Sequence, residues 1–225
     1  MNIVTKKTTH LIHKCLPNKI HDRKKKLFRE SHNMRVIKNA GSDRVRDLIL
    51  PWLKPDYQLD IITQSLSLFA ASDLFSKLST IKRTRLIISP QNTDLAFLGS
   101  LGDRPIRNQM QAHWFAKQCI SWLEHSIEIK NAISTIPQGI FVLKDAEGKP
   151  QVAMFGSLAL TTDGLGITPG NPMNLIQISE SAEEALLLSN WFDSQWASLP
   201  STPDAKTYLL NELETFSIHR EPSII

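Results

Sequence analysis

Two short apolar runs separated by a single helix constrain this 225-residue chain more than any other feature. Tyr57–Gln64 (YQLDIITQ) reads as a buried strand, bounded by turn-forming residues. Ser65–Leu78 follows as a helix with Phe69, Leu74, Phe75 and Leu78 inward, and Thr84–Ser89 (TRLIIS) is a second strand that Pro90 ends. A strand, a helix and a strand in that order argue for parallel pairing within an α/β sheet. Upstream, Ser42 is placed to cap a helix whose apolar face is Val45, Leu48, Ile49 and Trp52, with Pro51 ending or kinking it.

The remaining elements follow the same logic. Residues 90–105 form a loop with Gly99 and Gly102, and Ile106–His125 is a long helix with Met110, Phe115, Cys119, Trp122 and Leu123 on one face. Ser126–Lys130 is a short strand. Gly139–Leu143 and Gln151–Phe155 flank a turn at Lys144–Pro150, which predicts a β-hairpin. Six of the nine glycines fall between Gly139 and Gly170, so backbone freedom is concentrated there. Asn174–Ser179 is a further strand. Ser181 and Glu184 form a capping box that opens a helix with Leu188, Phe192 and Leu199 inward; Pro200 closes it, and a last helix spans Ala205–Phe216. The expected fold is α/β, a mixed sheet with helices on both faces. The expected organisation is a basic tail over 1–33, a domain over 34–200, and a C-terminal helix with a linker over 201–225.

Charge is unevenly spread. The chain carries 26 Lys and Arg against 22 Asp and Glu, a net of +4. Residues 1–38 hold eleven basic and two acidic side chains, a net of +9, which leaves −5 for the rest. That split excludes a uniformly basic DNA-coating protein. The block Lys19, Arg23, Lys24, Lys25, Lys26 and Arg29 is expected to attract nucleic-acid phosphates without sequence preference. The same tail is expected to be flexible, with a short basic helix near Asp22–Phe28.

The inventory of reactive groups is thin. Cys15 and Cys119 form no CxxC, so no zinc site is expected, and two reduced thiols are the simplest reading. His10, His13, His21 and His32 are irregularly spaced in the tail, and His113, His125 and His219 have no sequence neighbour that completes a dyad. The loop acids Asp94, Asp103, Asp145 and Asp163 match no metal-ligand spacing. Glu183, Glu184 and Asp193 read as helix-start and solvent-face charges. Trp114, Trp122, Trp191 and Trp196 sit at helical spacing and read as core packing. No metal or cofactor is implied. No apolar run approaches the ~18 residues of a membrane span, so a cytoplasmic protein without membrane contact is expected.

The order from 139 to 199 carries a resemblance. A hairpin runs into Gly156-Ser157 (AMFGSLALTTDGLG), then comes the strand NLIQIS and a helix ending WFDSQWASLP. This resembles the C-terminal part of a phospholipase D-like, nuclease-type domain. VRDLILPWLKPDYQLDIITQSLSLFAASDLFSKL resembles the opening of such domains, in the version found at the N-terminus of bacterial superfamily-2 helicases. LLNELETFSIHREPSII resembles the joint to the helicase part. The resemblance implies a site made of a nucleophilic His, a Lys two residues on, an Asp seven residues after the His, and an Asn beyond the Gly-Ser. Those positions fall on Gln138, Ile140, Asp145 and Ala159, beside Gly156 and Ser157. Gln138 cannot attack phosphorus and Ile140 cannot neutralise charge. The resemblance therefore implies a degenerate site, with Asp145 also serving an ordinary hairpin turn and Gly156 and Ser157 open to an anion-binding role. It leads to three functional expectations. One is an inactive module that binds nucleic acid or a helicase partner in bacterial DNA processing or defence, with a homodimer in keeping. The second is an active phosphodiesterase using other residues, and the third is a protein-binding piece of a split helicase.

Deleting residues 1–33 should weaken DNA binding sharply and flatten its dependence on salt in a mobility-shift titration. An unchanged shift would remove the tail from the account.

Overall fold

Every residue of β2 (Gln58–Thr63) beyond Gln58 is buried, as a central strand covered on both faces requires. It pairs in parallel with β3 (Arg83–Ile88) and antiparallel with β5 (Gly139–Lys144). β1 (Met34–Ile37), β4 (Ile127–Asn131), β6 (Pro150–Gly156) and β7 (Ile176–Ser179) complete a seven-stranded mixed sheet in the order β1-β7-β6-β5-β2-β3-β4. This computed structural model describes residues 34–89, 103, 109–201 and 204–218, all within the unit Asn33–Ile225. The tail with Lys19, Arg23, Lys24, Lys25, Lys26 and Arg29, together with Cys15, Asp94 and His219, lies outside the described residues.

Alternation along the strands sorts two cores. Leu59, Ile61, Leu86, Ile88, Phe141, Leu143, Val152 and Met154 face one way. They meet α1 (Val45–Ile49), α2 (Leu68–Leu78), α3 (Gln109–Ser126) and α5 (Asp204–Ile218), through residues such as Val45, Leu74, Cys119, Trp122 and Leu213. Ile62, Ile87, Ile140, Val142 and Ala153 face the other way, against Phe192 and Ala185 of α4 (Ala182–Ser198) and the following Leu199. The mixed α/β sheet flanked by helices on both faces is thus the observed fold, and the parallel β2–β3 pair and the β5–β6 hairpin stand where the sequence predicts them. The last helix joins the larger core: Leu209 and Leu213 are buried, and Lys206 Nζ donates to the carbonyls of Glu124 and Ile127 at 3.1 and 3.2 Å. Among the described residues, no helix is long and apolar enough to cross a membrane.

The helix starts differ from expectation. Ser42 does not cap α1. The Asn39 side chain, in a left-handed backbone conformation at φ 53°, accepts from the Val45 N–H at 2.9 Å instead. Pro51 sits in the first turn of a 3-10 segment, Leu50–Trp52, where its missing N–H costs nothing. α2 begins at Leu68, because Ser67 accepts from the N–H groups of Phe69 and Ala70 and its own N–H goes to Leu160 O at 2.8 Å. Ser181 makes no side-chain cap. Ser179 Oγ donates to the Glu184 carboxylate and accepts from Ser181 N–H, so the hydroxyl that meets Glu184 is that of Ser179 and not Ser181. β1 was not predicted, since four edge residues are too few to show a period.

A charged cluster crosses the apolar face beneath α4. Arg85 pairs bidentately with Asp60, both bonds 2.7 Å, and reaches Asp193 at 2.5 Å. Lys144 Nζ lies 2.7 Å from the same Asp60 carboxylate. Arg85 also lies over the rings of Phe192 and Trp196 at 4.8 and 5.5 Å. Burial alone would lower the guanidinium pKa, and the bonds to Asp60 and Asp193 more than offset it, leaving the value above its ordinary one. Asp193 is therefore an ion-pair partner and not simply a solvent-face charge. Of Trp114, Trp122, Trp191 and Trp196, only Trp122 is fully in the core, Trp114 and Trp191 are 56% and 47% exposed, and Trp196 is a cation platform for Arg85 and Lys130. Burial pushes the Cys119 thiol pKa well up.

Asp60→Ala strands two cations and should cost about 3–5 kcal/mol in urea unfolding. Asp193→Ala, at a carboxylate 48% exposed, should cost about 1 kcal/mol or less. Cys119 should resist iodoacetamide at pH 8 until the protein is unfolded, because both access and the thiolate are denied.

Candidate functional site

β2 ends where β5 begins. The registers Ile62 to Ile140 and Gly139 to Gly156 bring Gln64, Ser65, Gln138 and Ser157 to one edge of the sheet. The loop after β6 is bound tightly to the end of β2. Thr63 Oγ1 donates to Ser65 O at 2.6 Å and accepts from Leu160 N–H at 2.9 Å. Gly156 adopts φ +130°, and a side chain there would run into Leu175 O. Asn39 Nδ2 donates to Asp163 O and Gly164 O at 3.0 and 2.9 Å, and Thr161 Oγ1 accepts from Gly164 N–H at 3.1 Å.

Beneath this loop lies a carboxylate that sequence spacing did not explain. Asp103 is fully buried. It accepts from Ser67 Oγ at 3.0 Å and Thr162 Oγ1 at 2.6 Å, and Thr168 Oγ1 extends the chain of hydroxyls from Thr162 at 3.1 Å. It is a structural acceptor joining α2 to the loop after β6. Its partners are 36 and 59 residues away in sequence, and no local pattern announces such a contact.

Two depressions open at this edge. A polar pocket of about 330 Å³ is lined by residues that include Gln64, Ser65, Ser157, Ala159, Asp163 and Asn174. An apolar cleft of about 550 Å³ lies between the sheet, the segment 132–138 and α4, with Ile62, Ile87, Ile140, Phe155, Leu188 and Trp191 in its wall. A hydrogen bond from Gln64 Nε2 to Pro137 O, 2.7 Å, stands between them.

The six expected site positions are divided among three places. Gln138, exposed, and Ile140, buried, line the apolar cleft. Ser157 and Ala159 line the polar pocket, with Gly156 in the ladder beside them. Asp145 sits at the far end of β5, roughly 23 Å from Gln138 at ~3.3 Å per strand residue. Its carboxylate accepts from Lys149 N–H at 2.8 Å and Gln151 Nε2 at 2.7 Å, which is the work of a hairpin turn. The anion-binding role open to Gly156 and Ser157 lacks free backbone donors: Ser157 N–H goes to Leu175 O and Leu158 N–H to Gly156 O, each at 2.8 Å.

No protein-family model matches this chain. No curated protein matches it either. Solved structures do. The phospholipase D family member Nuc from Salmonella typhimurium aligns with a TM-score of 0.45 at 13% identity, over 76% of this chain and 97% of that one. NucT from Helicobacter pylori gives 0.45 at 12%, over 76% and 98%. The phosphatidylserine synthase of Haemophilus influenzae gives 0.48 at 8%, over 89% of this chain and 47% of that one.

What the arrangement can do follows from its groups. None of the described residues lining either depression is a Lys, an Arg or a His. Among the described residues, no group of three or more His, Cys, Asp or Glu side chains could hold a metal ion. His125 Nδ1 lies 2.9 Å from the Ser121 carbonyl within its own helix. The polar pocket can therefore exchange hydrogen bonds, and the cleft can bury apolar surface.

Asp145→Ala should cost about 1 kcal/mol through the loss of turn hydrogen bonds. The NMR signals of Gln64, Ser157 and Asn174 should stay in place, because the turn and the pocket lie at opposite ends of β5.

Proposed function

We propose that this chain is a phospholipase D-like module without phosphodiesterase chemistry, serving as a binding component in nucleic-acid processing. The observation that carries this is the fate of the two positions on which the resemblance depends most. Gln138 points into solvent at the rim of an apolar cleft, and Ile140 is buried in its wall. Phosphoryl transfer needs a nucleophile and a positive cradle for the oxygens that gain charge. The described lining of this edge supplies no histidine and no cation for that cradle, and Asp145 is too far away to act there. The basic tail is the electrostatic arm of this reading and supplies non-specific attraction to phosphates. A helicase subunit or domain, acting in DNA processing or defence, is the protein partner that the resemblance supports, and a homodimer is in keeping with it.

Purified protein should neither nick plasmid nor hydrolyse bis-p-nitrophenyl phosphate, in EDTA or with Mg²⁺ or Mn²⁺. Turnover that survives purification and disappears on Ser157→Ala or Asp163→Asn would replace this reading with an enzyme using its own residue set. Co-purification of a separately encoded helicase with the full chain would support the partner half of the proposal. Failure of the two to associate would leave nucleic acid as the partner.

A further inference from the structure

We propose that the polar pocket at the end of β2 binds a neutral, hydroxyl-rich ligand, a ribose or another sugar with neighbouring hydroxyls. This deepens the reading above and rests on its premise that the edge no longer holds phosphate. Gln64, Ser65, Ser157 and Asn174 line the pocket with uncharged hydrogen-bonding side chains, and Asp163 adds one carboxylate with no counter-charge among the described lining residues. A phosphate brought here would face that carboxylate with no cation among the described lining residues to offset the repulsion. The amides of Ser157 and Leu158, which could otherwise cradle an anion, are already bonded within the chain.

A hydroxyl-rich ligand meets all of these groups. Two adjacent hydroxyls can donate to the two oxygens of one carboxylate, and such charge-assisted bonds are about twice as strong as neutral ones. The serine hydroxyls and the Asn174 amide both donate and accept, so they need a partner that does the same. An ammonium group would satisfy Asp163 and leave those donors unmet. Gln64 has its Nε2 committed to Pro137 O at 2.7 Å, which leaves its carbonyl oxygen as an acceptor. The frame is already fixed: Asn39 holds the Asp163 and Gly164 carbonyls, and Thr63 holds Ser65 O. Little ordering cost remains to be met on binding. At about 330 Å³ the pocket is of ligand size.

Adenosine carries a ribose with neighbouring hydroxyls and no phosphate, and is the first probe. Titration of the full chain followed by amide and side-chain-amide NMR should shift Gln64, Ser157 and Asn174. 2′-Deoxyadenosine should bind about tenfold more weakly, as should adenosine to Asp163→Asn or to Asn174→Ala, each change removing a bond to a charged or amide group. Asp163 makes its fold contacts through its backbone carbonyl, so Asp163→Asn should retain the wild-type spectrum elsewhere. The proposal is overturned if adenosine leaves these signals unmoved at millimolar concentration, or if the two nucleosides bind alike. It is also overturned if inorganic phosphate or putrescine shifts the same signals more strongly than adenosine. An inactive protein blind to adenosine sinks only this inference, whereas phosphodiester cleavage sinks the binding-module reading.

Discussion

The bidentate pair between Asp60 and Arg85 is the interaction on which the arrangement of this molecule turns. The two residues are direct cross-strand neighbours at the centre of the sheet. Their side chains are 3% and 11% exposed, in a setting where a lone ion would be prohibitively costly. The cost is met collectively. Lys144 and Asp193 bring the cluster to two cations and two carboxylates. The guanidinium also lies over the rings of Phe192 and Trp196, which adds cation–π attraction. Through Asp193, Phe192 and Trp196 the pair fixes where α4 lies, and α4 is one wall of the apolar cleft. A charged cluster in the middle of a sheet face is thus a positioning device for the edge where the two depressions open.

At that edge the same economy of parts appears in neutral form. Thr63, Thr161, Thr162, Ser67 and Asn39 each close a backbone or carboxylate valence that would otherwise be buried and unmet. The result is a stiff loop whose outward-facing groups are uncharged except for Asp163. Rigidity and charge at this edge therefore come from different residues.

The secondary structure was legible wherever periodicity had room to declare itself. Ile61, Ile62, Leu86 and Ile87 marked strands buried on both faces, and Cys119, Trp122 and Leu123 marked the inner face of α3. The errors lie at short elements and helix starts. Whether Ser42 or Asn39 caps α1, or Ser181 or Ser179 opens α4, depends on which hydroxyl or amide the tertiary fold leaves within reach, and both candidates read alike in sequence. The site was legible in part. Residue type alone says that Gln138, Ile140 and Ala159 carry neither an imidazole nor a charge. The separation of Asp145 from Gln138 could have been found by counting strand residues. The pairing of Asp103 with Ser67 and Thr162 could not, since three distant segments must fold before those groups meet. The same holds for the exposure of Trp114 and Trp191, which helical spacing alone did not distinguish from Trp122.

The charge split acquires a physical meaning from this. A phosphate-binding fold needs positive charge close to the bond it acts on, because the stabilisation falls with distance and with water between the groups. This chain keeps eleven basic side chains in its first 38 residues, and two described cations on the sheet are already bonded: Arg85 to Asp60 and Asp193, and Lys130 to the carbonyls of Trp196 and Leu199 at 2.8 Å. Charge on a separate segment raises the local concentration of a polyanion but cannot orient one phosphodiester for attack. In the function proposed above, attraction falls to the basic segment and recognition to the polar pocket, which can exchange hydrogen bonds but carries no described cation.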